Sequence, residues 1–195
     1  MNRSPEYIIS QIENTKVIPI YNHDDLDECK RVIRDTYKKG LRVFEFTNRS
    51  ANALKVFSEL VPFVEGELSE MSLGVGTILS LPQAEAFVKA GAHFLVSPVL
   101  DLEILEYCSL QRSLYVPGCF TPTEIAQAYK AGASIVKLFP ASVLTPSFIK
   151  NIKSPMPFAK IIATGGIKTN EIQGWLDAGA AAVGMGSALF ESANP

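Results

Sequence analysis

Lys137 and Glu45 are the residues of this sequence whose types and settings could do covalent chemistry. Lys137 stands in the run Ser134, Ile135, Val136, Lys137, Leu138, Phe139, Pro140, and Glu45 in the run Val43, Phe44, Glu45, Phe46, Thr47. Each charge is therefore embedded in an apolar stretch of strand length. Burial disfavours an ammonium, and the free amine that results can attack a carbonyl and form a Schiff base. A carboxylate among aromatic neighbours either pairs with a lysine or is pushed toward the range of a general acid or base. The plainer readings are a lysine that snorkels to the rim and an ion pair that serves structure only, the second being costly to desolvate.

Two glycine clusters add a second kind of chemistry: Thr164, Gly165, Gly166, Ile167, and Gly184, Met185, Gly186, Ser187. Backbone N–H groups without side chains over them can close on phosphate oxygens, and the Ser187 hydroxyl can add a bond. A pair of tight turns is the simpler alternative. Arg49, four residues past Glu45, can grip a carboxylate in a fork, and Thr77 in Gly74, Val75, Gly76, Thr77 can bond the same group. Taken singly, both read as ordinary loop residues. His93 precedes its apolar run and His23 has no partner in view, so histidine catalysis is disfavoured, and Cys119 reads as a small loop residue near the mouth.

What must position these groups is an alternation of short apolar runs with longer amphipathic stretches, the pattern of βα units on a parallel sheet. Eight runs can be counted: 17–21, 43–47, 72–76, 94–97, 114–117, 135–139, 160–164 and 182–185. Eight is the closing number for a (β/α)8 barrel, whose active site lies at the carboxyl ends of the strands. Lys137, Glu45, Arg49, Thr77 and both glycine clusters fall at those ends. A weak repeat, KKGL at Lys38, KAGA at Lys89 and Lys130 and DAGA at Asp177, puts a helix-ending glycine before a strand each time. Thr121, Pro122 and Glu124 spell a helix start with a capping box, and a short helix over 5–13 is expected to cover the barrel floor.

The 195 residues, 47% hydrophobic and 19% charged, suit one α/β domain spanning 1–195 with a substantial core. With 18 basic against 20 acidic residues the net charge is −2, so no global basic field draws nucleic acid or an anionic membrane. Three cysteines without a CxxC pair argue against a disulfide framework or a structural metal. The polar start and the absence of any long apolar stretch lead us to expect a cytoplasmic protein.

The segments FEFTNRS at Glu45, GVGTIL at Thr77, VSPVL at Pro98, PGCFTPTE at Cys119, VKLFPAS at Lys137, TGGI at Thr164 and GMGSALF at Ser187 resemble 2-keto-3-deoxy-6-phosphogluconate aldolase, also described as 4-hydroxy-2-oxoglutarate aldolase. The resemblance runs nearly end to end. It implies a homotrimeric (β/α)8 enzyme that needs no cofactor or metal and cleaves a phosphorylated keto acid to pyruvate and glyceraldehyde 3-phosphate. By position it makes Lys137 the Schiff-base lysine and Glu45 the general acid and base. It further assigns Arg49 and Thr77 to the pyruvate carboxylate, Pro98 and Phe139 to the pocket wall, and Gly165, Gly166, Gly186 and Ser187 to the distal phosphate.

Three departures from the family pattern stand out. Tyr21 ends the first strand where many relatives carry arginine, Ala163 precedes TGG where proline is frequent, and the chain stops at Pro195, which shortens the last helix. Two other readings follow: a lyase for the galactonate epimer or for unphosphorylated 4-hydroxy-2-oxoglutarate, and a phosphate-ligand binding barrel that has lost catalysis.

Overall fold

Strict inward and outward alternation along each apolar run builds the wall of the molecule. In the computed structural model, which describes residues 3–191, the runs form β1 (Val17–Tyr21), β2 (Val43–Thr47), β3 (Ser72–Gly76), β4 (Phe94–Val96), β5 (Leu114–Val116), β6 (Gly118–Cys119), β7 (Val136–Leu138), β8 (Ile161–Thr164) and β9 (Ala182–Met185). All pairings are parallel, in the spatial order β5-β4-β3-β2-β1-β9-β8-β7-β6. The two terminal segments of that order are halves of one stave, separated only by Pro117, so eight staves surround the axis as the eight runs predict.

The split corrects the expected single run 114–117. Pro117 has no N–H to give a neighbouring strand, and the Gly118 N–H turns aside to the Val99 carbonyl at 3.1 Å. β5 consequently pairs with β4 and β6 with β7. Cys119 sits on β6, buried among the side chains between barrel and helices, rather than in a loop facing the mouth. Burial pushes its thiol up to about 12, which makes it unreactive.

The helices are α1 (Pro5–Thr15), α2 (Leu26–Lys38), α3 (Ala53–Glu67), α4 (Leu81–Lys89), α5 (Leu102–Leu110), α6 (Pro122–Lys130), α7 (Ser147–Lys153), α8 (Ile172–Asp177) and α9 (Ala188–Glu191). Their ends are set locally. Thr121 and Glu124 form the expected capping box on α6, and Gly40, Gly91, Gly132 and Gly179 adopt left-handed φ values of +86° to +101° after α2, α4, α6 and α8. Outward side chains such as Phe44, Phe46, Val136 and Leu138 join the helices in the larger core. Inward ones, Ile18, Val43, Phe94, Val96, Val116, Ile135 and Ile162, form a second core inside the barrel.

α1 closes that inner core from below, through fully buried Ile8 and Ile12. Burial of each isoleucine is worth about 1.5–3 kcal/mol, so the barrel floor is held by packing. His93 lies at this end, buried, its Nδ1 accepting the Leu73 N–H at 3.0 Å, in keeping with a structural role. At the other limit of the chain, Leu189 and Phe190 of α9 begin to cover β1, the Phe190 ring meeting Tyr21 edge-on at 5.1 Å between centroids. The expectation of a shortened last helix concerns the end of the chain, and residues 192–195 lie outside the described residues. No helix among the described residues is long and apolar enough to cross a membrane.

Candidate active site

Parity on two strands brings the embedded charges together. Glu45 is the middle inward residue of β2 and Lys137 the inward residue of β7, and they meet across the barrel with Lys137 Nζ 3.8 Å from Glu45 Oε1. Both are shielded, with 4% of Glu45 and 7% of Lys137 exposed. Burial raises the Glu45 carboxyl above the ordinary carboxylate range, against the opposing pull of Lys137 and Arg49. Lys137 Nζ also lies over the Phe139 ring, 5.1 Å from its centroid.

The strand next to Glu45 makes room for its carboxylate. Gly76 ends β3, and a Cβ there would stand 1.8 Å from Glu45 Oε1, so only a residue without a side chain fits beside the acid. Beneath the pair the interior is tight: a void of about 10 Å³, lined by Ile12, Ile18, Phe94 and Ile162 among others, is at the lower limit for one water.

Above the pair opens a cavity of about 640 Å³ at the carboxyl ends of the strands, lined by Arg49, Lys137, Phe139, Gly165, Gly166, Gly186 and Ser187. Seven of the residues singled out in the sequence thus share one cavity, with Glu45 below it. Thr77 joins them through Arg49, whose Nε donates to Thr77 Oγ1 at 3.4 Å. Thr77 holds a left-handed φ of +64°. A β-branched residue there stores roughly 1–3 kcal/mol of strain, a cost that collects at functional sites. Pro98 is not among the lining residues; its carbonyl carbon backs Gly118, where a Cβ would approach to 2.2 Å.

Gly165 and Gly166 turn with φ of +103° and +72° after β8, and Gly186 and Ser187 follow β9. Adjacent strands therefore deliver both glycine loops to one side of the cavity, with β1 standing between them and the strand that leads to Arg49. A cationic fork at one end, an amine and a carboxyl in the middle and an N–H-rich loop pair at the other end suit a ligand that is anionic at both ends with a carbonyl between.

Several lining residues were given no role by the sequence reading: Asn22, Thr47, Thr164 beyond its place in the first glycine cluster, and Phe190. Period two is the signal that finds the first three, because they continue the inward series Ile18–Ile20, Val43–Glu45 and Ile162. Tyr21, the departure noted on the first strand, reaches only the cavity edge; its ring packs outward on Phe190 and its hydroxyl donates to Glu28 Oε1 at 3.4 Å. Ala163 likewise faces outward, fully buried between β7 and β9. His23 stays outside the pocket lining and accepts the Asp25 N–H on Nδ1. Another cavity, of about 460 Å³, opens at the amino-terminal end between Arg3 and Arg112, remote from Lys137.

Comparison with known proteins agrees with this geometry. A sequence model of the KDPG and KHG aldolase family matches residues 8–194. The 2-dehydro-3-deoxy-phosphogluconate aldolase of Treponema pallidum is 30% identical over 85% of this chain and 77% of its own length. The 2-dehydro-3-deoxy-6-phosphogalactonate aldolase of Escherichia coli is 34% identical, over 62% of this chain and 59% of its own. The crystal structure of a KDPG aldolase from Legionella pneumophila, with pyruvate captured as a covalent carbinolamine, superposes with a TM-score of 0.86 at 26% identity, covering 97% of this chain and 89% of that one. With a matching family model over nearly its whole length and an eight-staved barrel around a buried lysine and glutamate, the chain belongs to the KDPG and KHG aldolase family of Schiff-base carbon–carbon lyases.

Proposed function

We propose that this protein cleaves 2-keto-3-deoxy-6-phosphogluconate to pyruvate and glyceraldehyde 3-phosphate, with Lys137 as the imine-forming amine. The 3.8 Å approach of Lys137 and Glu45 in a shielded barrel interior carries the reading. The Lys137 amine attacks the 2-keto carbon, and the carbinolamine loses water to give an iminium. That iminium takes up the electron pair released when the bond between the third and fourth carbons breaks. Glu45, whose carboxyl burial keeps ready to hold a proton, moves protons for dehydration and takes the proton of the fourth-carbon hydroxyl as the aldehyde departs. A proton returned to the third carbon and water added to the imine then release pyruvate and free Lys137. Arg49, with Thr77 behind it, holds the pyruvate carboxylate in a fork, and Phe139 walls the pocket. Gly165, Gly166, Gly186 and Ser187 hold the distal phosphate. Each step uses only groups of the protein and water, and calls on no metal or cofactor.

The phosphorylated acid is favoured because two glycine loops on adjacent strands line the same cavity as Arg49, separated from its strand by β1. 4-Hydroxy-2-oxoglutarate has no phosphate for them, and the galactonate epimer differs only in one hydroxyl. The test is kcat/KM for the three acids with the parent and Ser187→Ala. We expect the phosphorylated gluconate acid to lead and Ser187→Ala to raise its KM about tenfold more than that of the unphosphorylated acid. Equal effects on both acids would remove the phosphate from the reading. We also propose a homotrimer, with the exposed Leu79, Val99, Leu102 and Phe120 around the mouth available to a neighbouring copy; sedimentation at micromolar protein tests it.

A further inference from the structure

Asn22 follows β1 directly and lines the same cavity as Arg49, Lys137 and Ser187, yet the mechanism above gives it no task. Alternation along β1 turns Ile18 and Ile20 inward and carries Asn22 to the inner side as well. There its Oδ1 accepts the Thr47 hydroxyl at 2.9 Å. Thr47 is itself an inward residue, buried to 1% exposure, so the bond has a fixed anchor. With its carbonyl end engaged, the amide turns its two N–H donors away from Thr47. Among the described residues these donors have no partner.

Register fixes how high Asn22 stands in the cavity. Ile20 is level with Glu45 on β2, so Asn22 lies one inward layer above the acid, on the route out of the barrel. β1 runs between β2, which leads to Arg49, and β9, which leads to Gly186 and Ser187. Asn22 therefore borders the middle of the cavity, between its two anion-binding ends. Those ends already hold a guanidinium and two N–H-rich loops. What a bound polyhydroxylated keto acid presents between its charged ends is hydroxyl oxygen, and a neutral amide donor matches a hydroxyl oxygen without the cost of burying a further charge.

We infer that Asn22, held by Thr47, donates to the hydroxyl next to the phosphate-bearing carbon of the substrate, and so selects acceptor aldehydes that carry this hydroxyl. The inference rests on the aldolase reading above. A neutral hydrogen bond of this kind supports a preference of about tenfold, while a site that leaves its donor unpaired with the wrong substrate can discriminate further.

The experiment runs the reaction in the condensing direction. Pyruvate is offered with glyceraldehyde 3-phosphate, or with the phosphorylated three-carbon aldehyde that lacks the hydroxyl, and kcat/KM is measured for the parent, Asn22→Ala and Asn22→Asp. Asn22→Asp keeps an oxygen for Thr47 but has no N–H donors, so it tests the same point if the alanine variant folds poorly. We expect the parent to prefer the hydroxylated aldehyde by about tenfold and both variants to bring the ratio to within twofold of one. A ratio unchanged in the variants overturns the inference, as does a parent that does not discriminate. A merely structural role for Asn22 would lower both rates equally and leave the ratio alone. A parent that condenses pyruvate with neither aldehyde contradicts the aldolase reading itself, which is a distinguishable result.

Discussion

Gly76→Ala tests the site through a residue that carries no chemistry. A methyl group at this position would stand 1.8 Å from Glu45 Oε1 and 2.7 Å from its Cδ, whereas ordinary contact begins at 3.4 Å. The carboxylate must therefore retreat by roughly 1.6 Å, the difference of those two distances. That is large against the 3.8 Å that separates it from Lys137. Displacements near 1 Å cost about a hundredfold in rate when a catalytic group leaves its working position. Gly76 does not have a left-handed φ, so alanine meets no backbone strain there. The stability loss is the overpacking cost of about 1–3 kcal/mol, within what a domain of this size tolerates. We expect Gly76→Ala to be folded by circular dichroism and to lose about a hundredfold in kcat for cleavage of the phosphorylated keto acid. Gly66→Ala is the control: it lies within α3 with nothing inside 4 Å of the added Cβ, and should gain about 0.5–1 kcal/mol with normal kcat. A folded Gly76→Ala with kcat within threefold of the parent would refute the placement of Glu45 in the reaction.

Further outcomes follow from the charges. Because Arg49 pulls the Glu45 carboxyl down against the upward push of burial, Arg49→Ala should let it rise. The acid limb of the kcat profile, measured at saturating substrate, then moves to higher pH; a limb that stays or moves down contradicts this coupling. Burial depresses the His93 imidazole to about 4 from an unfolded value near 6.5, so the unfolded chain binds the extra proton between these limits. Stability should therefore fall as pH drops from 6.5 to 4, by up to about 3 kcal/mol. His93→Asn, which can still accept the Leu73 N–H, should flatten the drop in urea midpoint between pH 7 and pH 4, and an unchanged drop would assign it to other groups.

Much of this architecture is legible in the sequence because it is local. The capping box at Thr121 and Glu124 and the glycines at 40, 91, 132 and 179 act within a few residues of themselves, and the structure has them as read. Charged residues inside apolar runs betray Glu45 and Lys137 for a related reason: period two turns them into the barrel, and nothing but function or pairing keeps them there. Pro117 shows the limit, since its effect depends on Val99 standing ready for the Gly118 N–H, a neighbour distant in sequence. Cys119, just after Pro117 and Gly118, reads as a small loop residue, whereas the strand resumes there against β7. Asn22, Thr47 and Thr164 are polar residues at strand ends, a common place for residues with no function. Only the closure of the barrel shows that they face one cavity.

The central claim is that the Lys137 amine captures a keto acid. Borohydride added to the protein with pyruvate should reduce the imine and leave a stable adduct, which peptide mass spectrometry should find on Lys137 and on no other lysine. Well-folded protein that shows no pyruvate adduct, or carries it on a different lysine, would contradict the account.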